Sequence, residues 1–482
     1  MHVKVCQMLF IVISVFLLAC PASAAWSLQG IPEGERFSAI AADTLPSDFP
    51  VFTVSVPNAS GPALIFLGAI ARGAVRYTYL TVLDESLTPV FYVRRPEGNS
   101  DFKRHPNGLI TFFDNGVRCF YAMNSSFSVV DSFRTVGGYV TDGHDIQFTA
   151  SGNVLLMSYD VDTVDMSVIV QGGNDSAAVT GLVLQELDAG KNLVFQWRSW
   201  DHFAITDAVY RDLTAATVDY AHGNAFDIDT DGNILLSSRH MDEITKIDRS
   251  TGAIIWRWGG KNNQFTFIND TLRFSYQHDV RRIANGNITL FDNGNYHVPS
   301  FSRAVEYALD EQAMTATLVW EFRDSMKISA PATGNVQRLP NGNTFISWGT
   351  AGIITEVRPD GTKAMEFLLP DSFTTYRTFR YGNAPTAVSP PASVPADFQL
   401  SAPYPNPFNG DVRIEFRLQR PSAVRMEIVN LAGQTMDVLI DEMRPVGRGS
   451  VSYNASLLAS GIYFVRMRVD GRMGVRKMMV VR

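Results

Sequence analysis

An all-β fold, a six-bladed β-propeller followed by a small C-terminal β-sandwich, is predicted by three features of this 482-residue sequence. A strand–turn–strand stretch with a glycine in its turn recurs along most of the chain. Between these stretches lies a second recurring segment, a turn followed by a strand that ends near an aromatic residue. No long apolar heptad pattern appears, so helices should be few and short.

The first repeat is clearest at Phe274–Gly294, where a polar strand start carrying His278 leads into Asn285-Gly286 and then an apolar strand. Asn-Gly is typical of a two-residue hairpin turn. Similar stretches occur at His105–Gly116, Gly143–Asp160, His222–His240 and Thr333–Thr350, and the five turn glycines are Gly108, Gly152, Gly232, Gly286 and Gly342. The second segment occurs six times, at Leu83–Arg95, Ala122–Phe133, Glu186–Trp200, Lys246–Gly260, Tyr307–Phe322 and Glu356–Leu369. Six units of two hairpins each favour a propeller over a two-sheet sandwich, which has no reason to repeat one unit six times.

Export is predicted at the N-terminus, where an apolar run and the small residues Ala22-Ser23-Ala24 indicate a signal peptide at 1–24. The residues before Cys20 also resemble a lipoprotein signal, so lipidation of Cys20 is the alternative. Cleavage after Ala24 leaves Cys119 as the last cysteine, for which we expect a buried structural role rather than a nucleophilic one. The net charge of -7 is spread along the chain without a basic stripe, so no nucleic-acid partner is expected.

Composition divides the mature chain into four parts. Residues 25–60 carry several prolines and predict short strands and loops, and residues 61–383 hold the predicted propeller. The proline-rich stretch 384–403 indicates a linker before a module at 404–482. The candidate strands of this module are Val412–Leu418, Ala423–Asn430, Met436–Ile440, Gly449–Asn454, Gly461–Arg468 and Arg476–Val481.

Four motifs of the C-terminal module occur in a characteristic order, and they are Tyr404-Pro405-Asn406-Pro407-Phe408-Asn409, Val424–Gly433, Ser460–Val465 and Arg476–Val481. On these residues the module resembles the C-terminal sorting domain of the type IX secretion system. The resemblance implies a Gram-negative cell, passage through the periplasm, and release or display at the cell surface by the type IX machinery. It also permits an association with the outer membrane. An ordinary sandwich that binds sugar or protein is the alternative.

Three of the eight histidines occupy corresponding points of the repeat. His144 and His278 lie eight residues before their turn glycines, and His222 lies ten residues before its own. Because side chains alternate along a strand with a period of two, these offsets place the three histidines on the same face. If they lie on the innermost strands of three blades, their imidazoles converge on the central channel.

Arg239 ends the strand that follows the turn after His222, and it is predicted to reach the same channel. A guanidinium offers a fixed fork of donors that suits a tetrahedral oxyanion such as phosphate or sulfate. A surface ion pair with Asp242 or Glu243 is the alternative for this side chain. The imidazoles together with Asp145 or Asp279 could instead hold a metal, although a cationic arginine suits an anion better.

A set of short motifs connects the propeller to a known family. They are Asp101-Phe102-Lys103, Pro106-Asn107-Gly108, Gly143-His144-Asp145-Ile146, His222-Gly223-Asn224, Ser237-Ser238-Arg239-His240, Lys246-Ile247-Asp248, Gln277-His278-Asp279, Asn285-Gly286-Asn287, Phe291-Asp292-Asn293-Gly294, Ser302-Arg303 and Val319-Trp320-Glu321. Over about 60 to 370 the chain therefore resembles the bacterial arylsulfate sulfotransferases.

The resemblance implies a six-bladed propeller that moves a sulfuryl group from an aryl sulfate donor to a phenolic acceptor, with no nucleotide sulfate donor and no cofactor. It implies that His278 is the nucleophile that becomes sulfated, that His222 and Arg239 bind sulfuryl oxygens, and that His144 does acid–base or anion-binding work. A neutral imidazole nucleophile and two successive displacements predict ping-pong kinetics. Gly223 replaces a larger residue, and no cysteine pair lies near His278, which leaves the acceptor pocket open.

Aromatic residues near His278 are candidates to stack on an aryl ring, and they are Phe274, Tyr276 and Trp258. Core packing is the alternative for each. Two other functions stay open at this stage, a surface binding or adhesion propeller without turnover and a quinoprotein or metal-dependent oxidoreductase. The sequence does not indicate an oligomeric state.

Overall fold

The computed structural model describes residues 45–382 except 75 and 326, and residues 398–481 except 402, 431–433, 457, 470 and 471. The chain divides into two compact units, Met1–Asn383 and Ala384–Arg482. The predicted signal peptide, the first part of the 25–60 segment and most of the 384–403 linker lie outside the described residues.

The described part of the first unit is built from β-strands. In chain order they are β1 (Thr53–Val56), β2 (Ala63–Ala71), β3 (Tyr77–Leu83), β4 (Pro89–Pro96), β5 (Ser100–Arg104), β6 (Ile110–Asp114), β7 (Cys119–Met123), β8 (Val129–Phe133), β9 (Val140–Phe148), β10 (Val154–Val164), β11 (Ala177–Leu187), β12 (Leu193–Arg198), β13 (Thr217–Asp219), β14 (Gly223–Ile228), β15 (Ile234–Ser238), β16 (Glu243–Ile247), β17 (Ile254–Gly259), β18 (Thr266–Ile268), β19 (His278–Arg282), β20 (Ile288–Asp292), β21 (Arg303–Asp310), β22 (Thr315–Phe322), β23 (Asn335–Arg338), β24 (Thr344–Ser347), β25 (Ile353–Val357), β26 (Lys363–Leu368) and β27 (Phe373–Gly382).

These strands pair into six sheets, whose strand orders are β27-β2-β3-β4, β5-β6-β7-β8, β12-β11-β10-β9, β14-β15-β16-β17, β18-β22-β21-β20-β19 and β1-β26-β25-β24-β23. The edge strands β5, β9, β14, β19, β23 and β27 each contact the next, and β27 contacts β5, so they form a closed ring. The last strand, β27, pairs antiparallel with β2 and joins the two ends of the unit. Sheets arranged around an axis and closed in this way form a β-propeller, which confirms the predicted fold class.

The core lies between neighbouring sheets. One apolar cluster, for example, joins Leu235 and Trp258 of one sheet to Val280 and Leu290 of the next. The single free cysteine of the described residues, Cys119, is buried in β7, as expected from the sequence. Burial also raises the pKa of its thiol, which agrees with a structural role.

The five turn glycines all adopt the left-handed conformation, with φ between 84° and 88°. The turn containing Asn285 and Gly286 differs from the two-residue hairpin that its sequence favours. The Ile283 N–H donates to the Asn287 carbonyl and the Gly286 N–H donates to the Ile283 carbonyl. This is a three-residue loop that ends in a left-handed glycine, the next most common hairpin connection.

Close packing between two sheets makes Gly143 sensitive to substitution. A Cβ at this position would lie 2.2 Å from the ring of Phe113, which belongs to the preceding sheet. Gly143→Ala is therefore expected to lower the free energy of unfolding by about 1–3 kcal/mol, the usual cost of overpacking. Chemical denaturation followed by tryptophan fluorescence measures this change. Gly382→Ala is the matched control, because nothing lies within 4 Å of its Cβ, and equal stability of the two variants would contradict the prediction.

Helical structure in the described part of the chain is confined to short 3-10 turns, at Met166–Val168, Ser199–Asp201, Ile205–Asp207, Arg239–Met241 and Gly349–Ala351. This agrees with the expectation of few and short helices. Among the described residues, no helix has the length and apolar character needed to cross a membrane.

The second unit is a small β-sandwich, as predicted. Its strands are β28 (Phe398–Leu400), β29 (Asp411–Leu418), β30 (Ser422–Val429), β31 (Thr435–Arg444), β32 (Gly447–Asn454), β33 (Gly461–Val469) and β34 (Arg472–Val480). They form two sheets with the orders β28-β29-β32 and β31-β30-β33-β34. Alternate residues of β29 are buried, and Ile414 shares one apolar core with Met426 and Val465 of the other sheet.

Candidate active site

The three histidines singled out by their spacing lie in or immediately before the inner strands of three neighbouring sheets. His144 lies in β9, His222 immediately precedes β14, and His278 is the first residue of β19. The imidazole centroids of His144 and His222 are 5.3 Å apart. Burial lowers the pKa of His278 well below its ordinary value, and the nearby Arg239, His144 and His222 lower it further. The structure thus brings together the four residues that the sequence proposed.

Each of the three histidines has an oxygen acceptor at its Nδ1 atom, and the pairs are His144 with Asp142, His222 with Asp219, and His278 with Asn293. The distance from Nδ1 to the acceptor oxygen is 2.6 Å for both His222 and His278. A carboxylate oxygen can only accept a hydrogen bond, so Nδ1–H of His144 and of His222 donates. A neutral ring in this arrangement carries its lone pair on Nε2.

The amide orientation of Asn293 fixes the tautomer of His278. Asn293 Nδ2 donates to the carbonyl oxygens of Ala330, at 2.6 Å, and Thr333, at 3.0 Å. Its Oδ1 therefore faces His278, where it accepts a hydrogen bond from Nδ1–H. The neutral ring consequently presents an Nε2 lone pair, to which the Thr333 N–H donates from 3.3 Å. His278 is therefore held with Nε2 unprotonated.

Arg239 lies in the 3-10 turn that follows β15. Its guanidinium carbon is 4.1 Å from the ring centroid of Tyr276, and its Nη2 donates to the Pro331 carbonyl at 3.0 Å. Its Nη1 donates to Nε2 of His240 at 2.9 Å, while Nδ1–H of His240 donates to the Asp219 carbonyl. The two contacts of His240 place its proton on Nδ1. The contacts of Arg239 hold its guanidinium over the face of the Tyr276 ring.

The charge of Arg239 is not matched by a carboxylate in the described part of the chain. No ion pair joins it to Asp242 or Glu243, the surface partners that were the alternative, and Glu243 pairs with Arg257 instead. The Arg239 Nε atom is buried and has no hydrogen-bond partner among the described residues. A buried N–H without an acceptor is costly, so this guanidinium is suited to an anionic ligand.

The carboxylate-paired histidine His222 differs from the amide-paired His278 in its surroundings. Burial lowers the pKa of His222 to about 4, although the hydrogen bond to Asp219 opposes this shift. Burial alone would raise the pKa of Asp219, but hydrogen bonds from His222 and His240 outweigh it and lower the net pKa. His222 is therefore neutral at pH 7, and the Asp219 carboxylate beside it can stabilise a proton on the ring.

Part of the backbone strain of the described chain lies beside the histidines. Five non-glycine residues beside them have positive φ values, and they are His222 (50°), Asp242 (51°), Tyr276 (55°), Asp279 (59°) and Thr333 (62°). Each such conformation costs of order 1–3 kcal/mol, and residues of this kind cluster at functional sites. The strain at Thr333 directs its N–H toward Nε2 of His278.

Below the histidines, the axis is filled by buried ion pairs. Asp145 lies 2.5 Å from Lys103 and 2.8 Å from Arg281, and Asp279 lies 2.8 Å from Arg281 and 3.4 Å from Arg377. Both carboxylates face these cations, so neither is placed to join the imidazoles around a metal, the alternative that the sequence left open. The ion pairs instead fix the strands that carry His144 and His278.

One group of described residues has the composition of a metal site, namely Asp219, His222 and His240, whose ligand atoms lie within 4.8 Å of one another. Both ring nitrogens of His240 are already engaged, one with the Asp219 carbonyl and the other with Arg239. A cation here would have to displace the guanidinium from its histidine. The donor set fits a hydrogen-bonded anion site better than a metal centre.

The aromatic residues that the sequence proposed as ring-stacking candidates pack differently. Trp258 and Phe274 are buried in the core, with their centroids 4.9 Å apart, and both contact Tyr307. Their core-packing alternative is correct. Tyr276 is also buried, but its ring lies under the Arg239 guanidinium at the site itself.

The structure leaves no room for a side chain at Gly223. A Cβ at Gly223 would lie 2.5 Å from Leu182 Cδ2, and Gly223 also accepts a hydrogen bond from the Tyr159 hydroxyl at 2.8 Å. The Tyr159 ring stacks against His222, with centroids 6.0 Å apart. This glycine allows Leu182 and Tyr159 to pack beside the histidine.

Sequence reasoning missed the partners of the histidines, which are Asp142, Asp219, Asn293 and His240. Asp142 lies two residues before its histidine and Asp219 three before its own, so a search for nearby carboxylates would have found both. Asn293 is fifteen residues from His278 along the chain and becomes its neighbour only through pairing of β19 with β20.

A propeller with imidazoles and an unpaired guanidinium at its axis belongs to the class of proteins that can bind and transfer an oxyanion group. The arylsulfotransferase (ASST) family model matches residues 102–369. The chain therefore belongs to the arylsulfotransferase family, as the sequence motifs predicted, and has an arylsulfotransferase-like function with aryl substrates. The secretion system C-terminal sorting domain matches residues 402–481 and supports secretion through the type IX system to the cell surface.

Solved structures resemble the chain only distantly. A protein of unknown function from Bacteroides caccae has 11% identity and a TM-score of 0.41, covering 66% of this chain and 99% of its own. A streptogramin B lyase has 11% identity and a TM-score of 0.37, covering 67% of this chain and 88% of its own. A virginiamycin B lyase from Staphylococcus aureus has 7% identity and a TM-score of 0.36, with coverages of 67% and 89%. No curated protein matches the sequence.

Proposed function

We propose that this chain is an exported aryl sulfotransferase that moves a sulfuryl group from a phenolic sulfate ester to a phenolic acceptor through a sulfated His278. Arg239 and His222 bind the sulfuryl oxygens, and His144 assists with protons or with anion binding. The observation that carries the proposal is the Arg239 guanidinium, which has no carboxylate partner among the described residues and lies beside the three imidazoles.

In the first half-reaction, the Thr333 N–H shifts from Nε2 of His278 to a sulfuryl oxygen, and the freed Nε2 lone pair attacks the sulfur of the aryl sulfate. The N–S bond forms while the S–O bond to the aryl group breaks, and the phenolate leaves with the bonding electron pair. The His278 ring keeps its proton on Nδ1, where Asn293 Oδ1 accepts it. Sulfuryl transfer resembles phosphoryl transfer in placing charge on peripheral oxygens, so fixed donors such as Arg239 and the Thr333 N–H supply most of the stabilisation.

The two carboxylate-paired histidines, His144 and His222, transfer protons to and from the phenol oxygen. A sulfate ester anion in the site favours the protonated form of His222, because a nearby opposite charge raises the pKa of an imidazole. His222 or His144 can then protonate the departing phenolate, and the neutral ring can accept a proton from the acceptor phenol in the second half-reaction. The acceptor oxygen displaces His278 from sulfur, which restores the neutral nucleophile.

Export is the second part of the proposal. The sorting domain directs the chain to the type IX machinery, and a signal peptide at 1–24, removed after Ala24, brings it across the inner membrane. The propeller at 61–383, the linker at 384–403 and the module at 404–482 are then separate parts with separate tasks. Mass spectrometry of the mature N-terminus tests this, and a lipid on Cys20 would overturn cleavage after Ala24.

Intact mass after incubation with para-nitrophenyl sulfate tests the mechanism directly. We expect a gain of one sulfuryl group, mapped to His278 in a digest kept alkaline so that the ring nitrogen is not protonated and the group is retained. Added phenol should remove the gain and release a sulfated phenol. Binding of the ester with no covalent gain and no product would instead favour a propeller that only binds its ligand.

Replacing the fork of Arg239 by a single ammonium tests its role as an oxyanion donor. Arg239→Lys keeps the positive charge but loses one of two directed donors, so transfer should fall by about 10-fold to 100-fold, the range of one charged hydrogen bond. Steady-state kinetics with para-nitrophenyl sulfate measure this change. Arg323→Lys is the matched control, because Arg323 is exposed and pairs with Glu321 at 2.8 Å, and a similar loss in the control would contradict the assignment.

A further inference from the structure

Two tyrosines from separate parts of the propeller form an exposed stacked pair beside the site. The ring centroids of Tyr210 and Tyr296 are 3.6 Å apart, with an interplanar angle of 11°. Tyr210 retains 58% of its accessible surface and Tyr296 retains 43%. Rings of this size are usually covered when they serve packing alone, as Trp258 and Phe274 are here. We call Tyr210 and Tyr296 the tyrosine pair.

One aromatic ring, that of Tyr276, lies between the tyrosine pair and the Arg239 guanidinium. Tyr296 packs edge-on against Tyr276, with centroids 5.0 Å apart, and the Arg239 guanidinium carbon lies 4.1 Å from that same ring. Tyr210 is fixed by its neighbour, since the Val209 N–H donates to the His240 carbonyl at 2.8 Å. An aryl group attached to a sulfuryl at Arg239 is therefore within reach of the tyrosine pair.

The backbone holding Tyr210 supports a functional role. Its φ of 53° lies in the left-handed region, which is unfavourable for a bulky side chain. The residue belongs to an irregular stretch between β12 and β13, and Tyr296 lies between β20 and β21. Two independent loops thus place their tyrosines face to face in water, where a third flat ring can add to the stack.

We propose that the tyrosine pair is the aryl-binding subsite, where the ring of the donor and then of the acceptor stacks. This inference rests on the proposed function and deepens it, because it names flat aromatic compounds with fused or extended rings as the preferred substrates. An offset-stacked ring gains energy beyond the burial of its area, and a larger flat ring covers more of the pair. Both half-reactions of a ping-pong enzyme use the same subsite.

The test compares para-nitrophenyl sulfate, with one ring, and β-naphthyl sulfate, with two fused rings. Tyr296→Ala and Tyr210→Ala should each lower kcat/KM for the naphthyl ester by about tenfold through a higher KM. The preference for the naphthyl over the phenyl ester should shrink in both variants. Tyr296→Phe should keep it, because the ring and not the hydroxyl makes the stack.

The controls separate this inference from the proposed mechanism. Tyr404→Ala removes a tyrosine of the second unit that is 78% exposed, and it should leave all kinetic constants unchanged. At saturating para-nitrophenyl sulfate, the alanine variants of the tyrosine pair should still gain one sulfuryl group on His278.

Unchanged KM values for both esters would overturn the subsite alone, whereas absence of a sulfated histidine in the wild type would overturn the mechanism. Retained ester kinetics together with lost binding of a soluble oligosaccharide would reassign the tyrosine pair to carbohydrate.

Discussion

Replacing His278 with alanine is expected to abolish sulfuryl transfer, with a loss of about 10⁴-fold or more, the scale of removing a catalytic nucleophile. His278 differs from His144 and His222 in having an amide and not a carboxylate as the partner of Nδ1. Its Nε2 carries the lone pair because Asn293 Oδ1 accepts a hydrogen bond from Nδ1–H, and burial keeps the pKa of the ring well below its ordinary value. The ring is therefore unprotonated at neutral pH without help from a base. Steady-state transfer and the intact-mass assay measure the loss together.

A second histidine variant separates loss of the nucleophile from loss of the fold. His202→Ala is the matched control, because His202 stacks on Trp197, with centroids 5.0 Å apart, outside the proposed site. It should retain transfer and the covalent gain. His278→Gln keeps a polar side chain in place and should fold, as shown by an unchanged thermal melt, while remaining inactive. A His278→Ala protein that still acquires one sulfuryl group would contradict the assignment of the nucleophile.

The fold class could be predicted from the sequence because turns and strands leave patterns within short stretches of residues. Turn glycines such as Gly286 report a required left-handed backbone, and alternation along β29 reports a sheet with one buried face. Closure of the ring was less accessible, since β27 pairs with β2 from the opposite end of the unit. Neither strand carries a local sequence pattern that predicts its pairing with the other.

Part of the candidate site could also be predicted from patterns within short stretches of the sequence. His144, His222 and His278 could be aligned because each keeps the same offset parity from a turn glycine, and parity determines the face of a strand. What the histidines do depends on their Nδ1 partners, and these depend on rotamers and on contacts between loops. Asn293 reaches His278 while also holding the 330–333 segment through two carbonyls. The spacing of residues along the sequence does not predict that Asn293 contacts both the histidine and this segment.

The partners suggest how one residue type fills different roles. A carboxylate on Nδ1, as at His144 and His222, stabilises an imidazolium and suits a group that carries protons. A neutral amide on Nδ1, as at His278, orients the ring without favouring its protonation. In the proposed mechanism, the sulfated ring retains its Nδ1 proton and is a good leaving group for the second displacement. Asparagine at position 293 would then contribute to the chemistry as well as to the structure.

Asn293→Ala is expected to slow sulfation of His278 by about tenfold, the scale of one hydrogen bond, because Nδ1–H then keeps only the Tyr276 carbonyl, at 3.2 Å, as its acceptor and the ring is less firmly oriented. Asn293→Asp should behave differently, since a carboxylate still accepts from Nδ1–H but favours the imidazolium. The pKa of His278 should rise, so the loss of the neutral ring, and with it of sulfation, should set in at a higher pH than in the wild type and should be reversed as the pH is raised.

Single-turnover sulfation measured across pH distinguishes these outcomes. The wild type should show no loss of neutral His278 near neutral pH, because burial together with Arg239, His144 and His222 lowers the pKa of this ring. Ser302→Ala is the control for damage to the loop, since Ser302 Oγ donates to the Asn293 carbonyl at 2.8 Å and accepts from the Ala330 N–H. This variant perturbs the same segment without touching the imidazole, so its pH profile should match the wild type. An Asn293→Asp profile that also matches the wild type would show that the partner of Nδ1 does not set the protonation of His278.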